Sequence, residues 1–207
     1  MRVFHWALVV AVVAAVACAK AGLMDWHMRA GLLALGLVVF RVIWGFAGTR
    51  WARFASFVRG PVATFRYARS WFAPPPAISV GHNPLGGWGV VLLLACIGLQ
   101  AFTGLFTNDE ILTEGPLAKY VSADTSSLAR WVHNLNEQVI YVLVGLHVLA
   151  VIWHRLRFGE RLVGPMISGI KRLPARFGAD AIGATPTGRA LAIAALVVLG
   201  VWLLSRA

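Results

Sequence analysis

The stretch WVHNLNEQVIYVLVGLHVLAVIWHRLR at residues 131–157 carries three histidines in a segment that is otherwise apolar enough to cross a bilayer. On an α-helix, with a rise of about 1.5 Å and a turn of about 100° per residue, His133 and His147 lie about 21 Å apart and within roughly 40° of one face. His154 follows about two turns further on, beside the arginines that end the stretch. His133 and His147 therefore share one helix face at opposite depths in the membrane.

The composition indicates an integral membrane protein, because 59% of the 207 residues are hydrophobic and only 13% are charged. Long apolar runs alternate with short basic or polar connections. We predict an all-α fold, a four-helix transmembrane bundle followed by a fifth, C-terminal transmembrane helix. The predicted spans are residues 4–19, 28–46, 88–106, 131–153 and 190–204. The first run contains a histidine and lacks a fitting cleavage site, so we expect a retained helix rather than a signal peptide.

The formal net charge of +11 predicts an orientation in the membrane rather than a nucleic-acid partner. Arginines fill the connection at 50–69, and Arg and Lys follow the fourth span at 155–176, as the positive-inside rule expects of cytoplasmic segments. The N-terminus is then cytoplasmic. The connection at 107–130 belongs to the opposite side, and its acidic residues form a solvated face or a docking site for a basic c-type cytochrome. These residues are Asp109, Glu110, Glu114 and Asp124.

Two further local patterns have simple interpretations. The segment at 49–72 interleaves Arg with aromatic residues beside a span, which predicts an interfacial amphipathic helix broken near Gly60 and Pro61. Cys18 and Cys96 lie in apolar runs and no CxxCH motif occurs, so the sequence supports neither a disulfide framework nor covalent haem attachment.

A cofactor held by two histidines needs ligands at equal depth on neighbouring helices. His27 opens the second span at the outer surface, as His133 opens the fourth, whereas His5 begins the first span at the inner surface. Counted from the outer ends of their helices, His5 lies about 25 Å deep and His147 about 24 Å, while His154 lies near ~35 Å. Depth therefore pairs His5 with His147 and His27 with His133.

The four paired histidines predict bis-histidyl haem sites. One histidine near the end of a membrane helix is more often an interfacial side chain than a ligand, but ionisable groups at two matched depths are costly and usually face the bundle interior. Paired neutral imidazoles suit haem iron, whereas zinc needs further ligands around one point. The alternative from a different class is a small transporter or metal-translocating bundle that uses the same histidines.

Other residues are candidates for contacts with the macrocycle. Gly31 follows His27 by one turn, where a missing side chain lets a flat group approach, although small-residue helix packing is the alternative. Arg41 descends to the level of His5 and needs an anion there, either a haem propionate or, by snorkelling, the membrane interface. Arg2 is a second candidate for the same haem, or only orients the chain.

The two remaining histidines, His82 and His154, are predicted at the cytoplasmic surface near the inner pair. Either could contact a quinone head group or a propionate, because an imidazole titrates near neutral pH. Interfacial anchoring is the alternative for His154. His82 lies in the turn-forming stretch PPPAISVGHNPLGG, so its alternative role is to cap the third span.

Three stretches also resemble a known family. RVFHW at 2–6, WHMRAG at 26–31 and WVHNLNEQVIYVLVGLHVLAVIWH at 131–154 are similar to the bacterial cytochrome b561 family, which is grouped with the b-type cytochrome subunits of nickel-iron hydrogenases. The resemblance covers about 2–169 and implies a four-helix transmembrane bundle with two non-covalent haem b groups. It implies the ligands His5, His27, His133 and His147. GHNPLGGW before the third span and the apolar segment after 187 depart from the family pattern and leave the partner open.

The resemblance and the residues together predict a dihaem b-type cytochrome of the bacterial inner membrane. It would relay electrons between the quinone pool and a periplasmic or membrane partner, with quinone-linked oxidoreductase activity as an extension. Residues 1–170 would form the dihaem domain, and 171–207 a cytoplasmic linker and the C-terminal helix. The alternative within this class is the membrane anchor of a hydrogenase-like complex.

Overall fold

The computed structural model describes residues 1–70, 83–108, 113–169 and 186–207. The α-helices in these ranges are α1 (Arg2–Lys20), α2 (Met24–Ala47), α3 (Phe54–Phe57), α4 (Pro61–Arg69), α5 (Pro84–Gly104), α6 (Ala123–Phe158), α7 (Val163–Ser168) and α8 (Thr187–Leu204). Five of them, α1, α2, α5, α6 and α8, are long and apolar enough to cross a membrane. Each corresponds to one predicted span, and the all-α membrane fold is confirmed.

The first two helices form a hairpin closed by a tight turn. Gly22 has a φ of 72°, a left-handed conformation that costs glycine little, and Leu23 N donates to Cys18 O at 2.8 Å to satisfy the end of α1. The turn therefore returns the chain directly into α2. We call the end of the bundle that holds this turn the outer end, and the end that holds His5 the inner end.

The bundle is built around α2, which packs against α1, α5 and α8, while α5 packs against α6. Its buried apolar core comes from all four of the helices α1, α2, α5 and α6. The core residues are Leu8, Ala11, Ala34, Val38, Leu94, Ile97 and Ile140. Histidines lie on three of these helices, with His5 on α1, His27 on α2, and His133, His147 and His154 on α6.

Helix α6 is longer than the predicted span at 131–153. It has 36 residues, or about 54 Å, against a hydrocarbon core of about 30 Å. The Ser122 hydroxyl accepts a hydrogen bond from Thr125 N and caps the helix start, and Gly159 ends it with a φ of 64°. The polar turns at the start of α6 therefore extend the helix beyond the apolar span toward the outer end.

The described part of the connection between α2 and α5, residues 48–70, lies at the inner end of the bundle. Helix α3 ends at Phe57 and α4 begins at Pro61, with Gly60 as its N-cap, so the predicted break near Gly60 and Pro61 is confirmed. Trp88 Nε1 on α5 donates to Arg59 O at 2.8 Å. The connection is therefore fixed to the start of α5.

Helix α8 lies against α2 and runs from the inner end to the outer end. Arg189 Nη1 donates to Ala47 O at 3.1 Å near the inner end. Near the middle, a Cβ added to Gly36 would lie 3.1 Å from Val201 Cγ2, so the glycine permits a close approach of the two helices. Tyr120 hydroxyl donates to Ala207 O at 3.4 Å at the outer end.

Candidate cofactor site

The outer histidine pair is brought into contact. The ring centroids of His27, in the first turn of α2, and His133, on α6, lie 6.2 Å apart with an interplanar angle of 76°. A metal ion bound at about 2 Å from one nitrogen of each imidazole separates two such centroids by about 6 Å. The observed separation therefore fits one metal ion between the two rings.

The ring of His27 is oriented by the backbone of α1. Its Nδ1 lies 2.8 Å from Ala15 O, and because a carbonyl oxygen can only accept, Nδ1 must carry the hydrogen and donate. The other nitrogen, Nε2, then has its lone pair available. A ligand histidine is commonly held in this way, with one ring nitrogen donating to a carbonyl and the other facing the metal.

Helix α5 orients His133 in the same sense. Thr103 Oγ1 donates to Leu99 O at 2.8 Å and lies 3.2 Å from His133 Nδ1, so its lone pair accepts from Nδ1 and again leaves Nε2 available. A Cβ added to Gly104 would lie 3.2 Å from His133 Cε1, so glycine at this position gives the ring room.

A polar contact beside His133 fixes how α6 sits on α5. Asn136 is 6% exposed, and its Nδ2 donates both to Gln100 Oε1 at 2.7 Å and to Cys96 O at 2.9 Å. Buried polar groups that are fully hydrogen-bonded favour one packing arrangement over its neighbours. These contacts were not predicted from the sequence, although small and polar residues within apolar spans were the available signal; they involve Thr103, Gly104, Gln100 and Asn136.

The inner pair is less closely joined. His5 lies on α1, and His147 is on the exposed surface of α6. His5 packs edge-on against Trp6, with ring centroids 5.1 Å apart. The buried Nδ1 of His5 has no hydrogen-bond partner among the described residues. A buried nitrogen in this condition fits a ligand that completes its bonding.

Arg41 is buried in the protein. It is 4% exposed, and its guanidinium lies over the rings of Phe54 at 4.7 Å and Phe57 at 5.8 Å. Its buried Nη1 has no hydrogen-bond partner within the described ranges. Gly45 makes this packing possible, since a Cβ there would overlap the Phe54 ring. Burial does not fit the snorkelling alternative, whereas a guanidinium without its full set of partners fits an anionic group.

Two other predicted contacts have definite positions, and one does not. Arg2 Nη1 donates to Ile167 O at 2.8 Å, so Arg2 ties α1 to α7. At Gly31 an added Cβ would meet no atom within 4 Å, so the α2 surface is open to a flat group there. His82 lies outside the described residues.

His154 is a residue of α6, and its ring lies between Asn83 at the start of α5 and Glu160 just after α6. It is 4% exposed, with Nδ1 3.4 Å from Glu160 Oε2 and Nε2 3.3 Å from Asn83 Nδ2. The amide donates, so Nε2 accepts and Nδ1 carries the hydrogen toward the carboxylate. Asn83 Oδ1 in turn accepts from Gly86 N at 2.7 Å and is the N-cap of α5. The side-chain cap of α5 within the described residues is therefore Asn83.

The histidine contact at the outer end of the bundle joins two residues, His27 and His133, rather than a larger cluster. In the described ranges, no group of three or more His, Cys, Asp or Glu side chains could hold a metal ion, which is the arrangement a structural zinc site requires. The pairs have instead the ligand number that haem iron takes from a protein when both axial positions are filled.

Comparison with known proteins gives one match. A family model described as prokaryotic cytochrome b561 matches residues 1–169. No curated protein and no solved structure shows significant similarity to the chain. The matched range includes both histidine pairs and ends before α8.

Proposed function

Because the chain belongs to the prokaryotic cytochrome b561 family, we propose that it is a dihaem cytochrome that relays single electrons between a membrane quinone pool and a second redox partner. Family membership makes the protein a multi-pass membrane cytochrome that binds b-type haem and transfers electrons. The number of haems, their ligands, the quinone and the partner are the parts that we propose.

The outer pair supports the proposal most strongly. His27 and His133 have ring centroids 6.2 Å apart, and each has its Nδ1 hydrogen bonded to an oxygen of a neighbouring helix. Both Nε2 atoms are then free to bind iron from opposite faces of a haem. When bound, the haem supplies a reversible one-electron couple, and the protein supplies ligands and burial.

His5 and His147 are the proposed ligands of the second, inner haem. Helix α6 places His147 fourteen residues after His133, about 21 Å deeper. Arg41 follows His27 by fourteen residues on α2 and so reaches a similar depth, where its unpartnered Nη1 would bind a propionate of the inner haem. Arg2 has a backbone partner on α7, so we assign it to holding α1 in place beside this haem.

The charges of the connections at the two ends of the bundle indicate the orientation and the redox partner that we propose. We propose an inner-membrane location with the N-terminus cytoplasmic, based on the basic connections. The acidic connection at the outer end is the proposed docking surface for a basic c-type cytochrome. Glu114 there accepts a hydrogen bond from Asn108 Nδ2 at 2.7 Å, while Asp109 and Glu110 lie outside the described residues.

The outer site is tested by His27→Ala. We expect the haem content of the purified protein to fall from two toward one per chain, with a reduced α-band of haem b retained from the inner site. His154→Ala is the matched control, because His154 is engaged by Asn83 and Glu160, and it should keep both haems. Two haems in His27→Ala would refute His27 as a ligand, and a haem-free wild-type protein would refute the whole proposal.

A further inference from the structure

Three polar side chains meet between α1 and α6 near the outer histidine pair. Lys20 Nζ lies 3.2 Å from Glu137 Oε1, and the Tyr141 hydroxyl donates a short hydrogen bond to the same oxygen. The Lys20 side chain is 67% exposed and that of Glu137 is 26% exposed. We call Lys20, Glu137 and Tyr141 the outer polar cluster.

The cluster reaches into the membrane. Lys20 is the last residue of α1, whereas Glu137 and Tyr141 follow His133 by one and two turns of α6, about 6 Å and 12 Å deeper. Glu137 lies in the polar stretch NLNEQ at 134–138, and Tyr141 lies in the first turn of the apolar part of this helix. Ionisable side chains at such depths are costly, and those that occur usually line the path of an ion, a proton or a substrate.

A purely structural role does not account for this cost. A partly exposed ion pair contributes little to stability, and the tie between α1 and α6 would need only Lys20 and Glu137. The Tyr141 hydroxyl brings a second donor to the same carboxylate oxygen. The groups that face Glu137 in the described ranges are Lys20 on α1 and, on α6, Tyr141 and the more distant His133.

These groups match both redox forms of a membrane quinone. The Glu137 carboxylate accepts hydrogen bonds, as the hydroxyl groups of a quinol require, whereas the Lys20 ammonium and the Tyr141 hydroxyl donate to the carbonyl oxygens of a quinone. We propose that the outer polar cluster is a head-group site for a membrane quinol, with Glu137 as the proton acceptor. The inference rests on the quinone link of the proposed function and adds its location and the group that handles the proton.

The proposed step conserves protons and electrons. Oxidation of one quinol to quinone releases two protons and two electrons. Each proton passes from a quinol hydroxyl to Glu137, and from there to water at the outer surface, which the exposed Lys20 side chain reaches. The two electrons would leave the quinol one at a time, and the b-type haem that the family binds would supply the one-electron acceptor. The reverse sequence reduces a quinone with proton uptake at Glu137.

The test measures reduction of the purified haem-loaded protein by decylubiquinol, followed by rapid mixing. Glu137→Gln removes the proton acceptor but keeps the shape of the side chain, and we expect a rate at least about 100-fold lower. Haem content and the dithionite-reduced spectrum should stay as in the wild type. Tyr120→Phe is the matched control in the outer connection, because the Tyr120 hydroxyl donates to Ala207 O, and its rate should not change.

A second readout does not depend on the rate. Infrared difference spectra on addition of decylubiquinol should show the band of a protonated carboxyl group in the wild type and not in Glu137→Gln. If Glu137→Gln loses haem, the Tyr141→Phe variant tests the site instead. We expect Tyr141→Phe to keep haem and to be reduced by decylubiquinol about tenfold more slowly, because one hydrogen bond of about 1.4 kcal/mol is lost.

The outcomes separate this inference from the proposed function. Equal decylubiquinol rates in the wild type and Glu137→Gln would overturn the site at Glu137 and leave the dihaem cytochrome intact. A wild-type protein that dithionite reduces but decylubiquinol does not would overturn the quinone link, and this inference with it. If Glu137→Gln loses haem, an unchanged decylubiquinol rate in Tyr141→Phe would also overturn the proposed site.

Discussion

Thr103 is the side chain that orients His133 across the helix interface. Its Oγ1 lies 3.2 Å from Nδ1 of the histidine, and it is 6% exposed. In Thr103→Val the shape stays and the hydrogen bond is lost, so we expect haem affinity at the outer site to fall about 10–100-fold. Titration of haem into the apoprotein measures this, and the g-values of the ferric low-spin signal should shift as the imidazole plane is released.

Two variants control this result. Thr103→Ser keeps the hydroxyl and should restore both the affinity and the g-values. Thr107→Val removes a hydroxyl one turn further along, which donates to Gly104 O at 3.0 Å rather than to a histidine, and it should leave both unchanged. Equal haem affinity in Thr103→Val and the wild type would show that the hydrogen bond does not hold His133.

His147 and His154 lie near one face of α6, about 10 Å apart along the helix, and a pair of substitutions distinguishes them. We expect His147→Ala to remove the bis-histidyl signature of the inner haem. His154→Ala should keep both haems, because its two ring nitrogens face Asn83 and Glu160. Haem stoichiometry and the low-spin spectrum measure both results. The reverse outcome would place α1 about two turns deeper and break the pairing of His5 with His147.

At the residue scale, histidine spacing could be deduced from the sequence, but the residues around the rings could not. Depth along a helix follows from the rise per residue, which is the same for every α-helix. The contacts of Thr103, Gly104 and Asn136 depend on which faces of α5 and α6 meet. Their side chains give no periodic signal, and the burial of Arg41 against Phe54 depends on how the chain folds back after α2.

At the scale of elements, all five predicted spans correspond to helices, and the largest difference is at α6. Its first two turns are too polar for a hydropathy criterion, yet Ser122 caps them and the helix begins at Ala123. Capping is a local backbone effect that hydropathy does not measure. The break between α3 and α4 was predictable, because Gly60 and Pro61 act locally.

Helix α8 is the element whose removal should matter least for haem binding. The family match ends at residue 169, and α8 packs against α2 on a face that carries neither pair of candidate ligands. We predict that a protein ending at residue 169 keeps the haem content and the reduced spectrum of the full chain. Haem-to-protein ratio after purification in mild detergent measures this. Loss of either haem would show that α8 belongs to the haem-binding domain rather than to a separate unit at 171–207.

At the scale of the whole molecule, composition was enough to predict the membrane class, and the resemblance of three histidine-bearing stretches predicted the family. The match over residues 1–169 confirms the resemblance that the three histidine-bearing stretches carried. Specificity is harder to deduce at this scale, because the docking surface, the quinone site and the orientation depend on surfaces rather than on periodic patterns. The outer polar cluster illustrates this, since Lys20 and Glu137 are distant in sequence and meet only in the fold.

One continuous helix, α6, carries a member of each histidine pair. If each pair binds one haem as proposed, the distance that an electron would cross between the two haems is set by the rise per residue of this one helix. Small movements of α1 or α2 relative to α6 would weaken or strengthen individual iron–nitrogen bonds, but they would change the distance between the haems very little. The rate of electron transfer between the two haems should therefore depend little on bilayer thickness or lateral pressure, even where these change the tilt of the other helices.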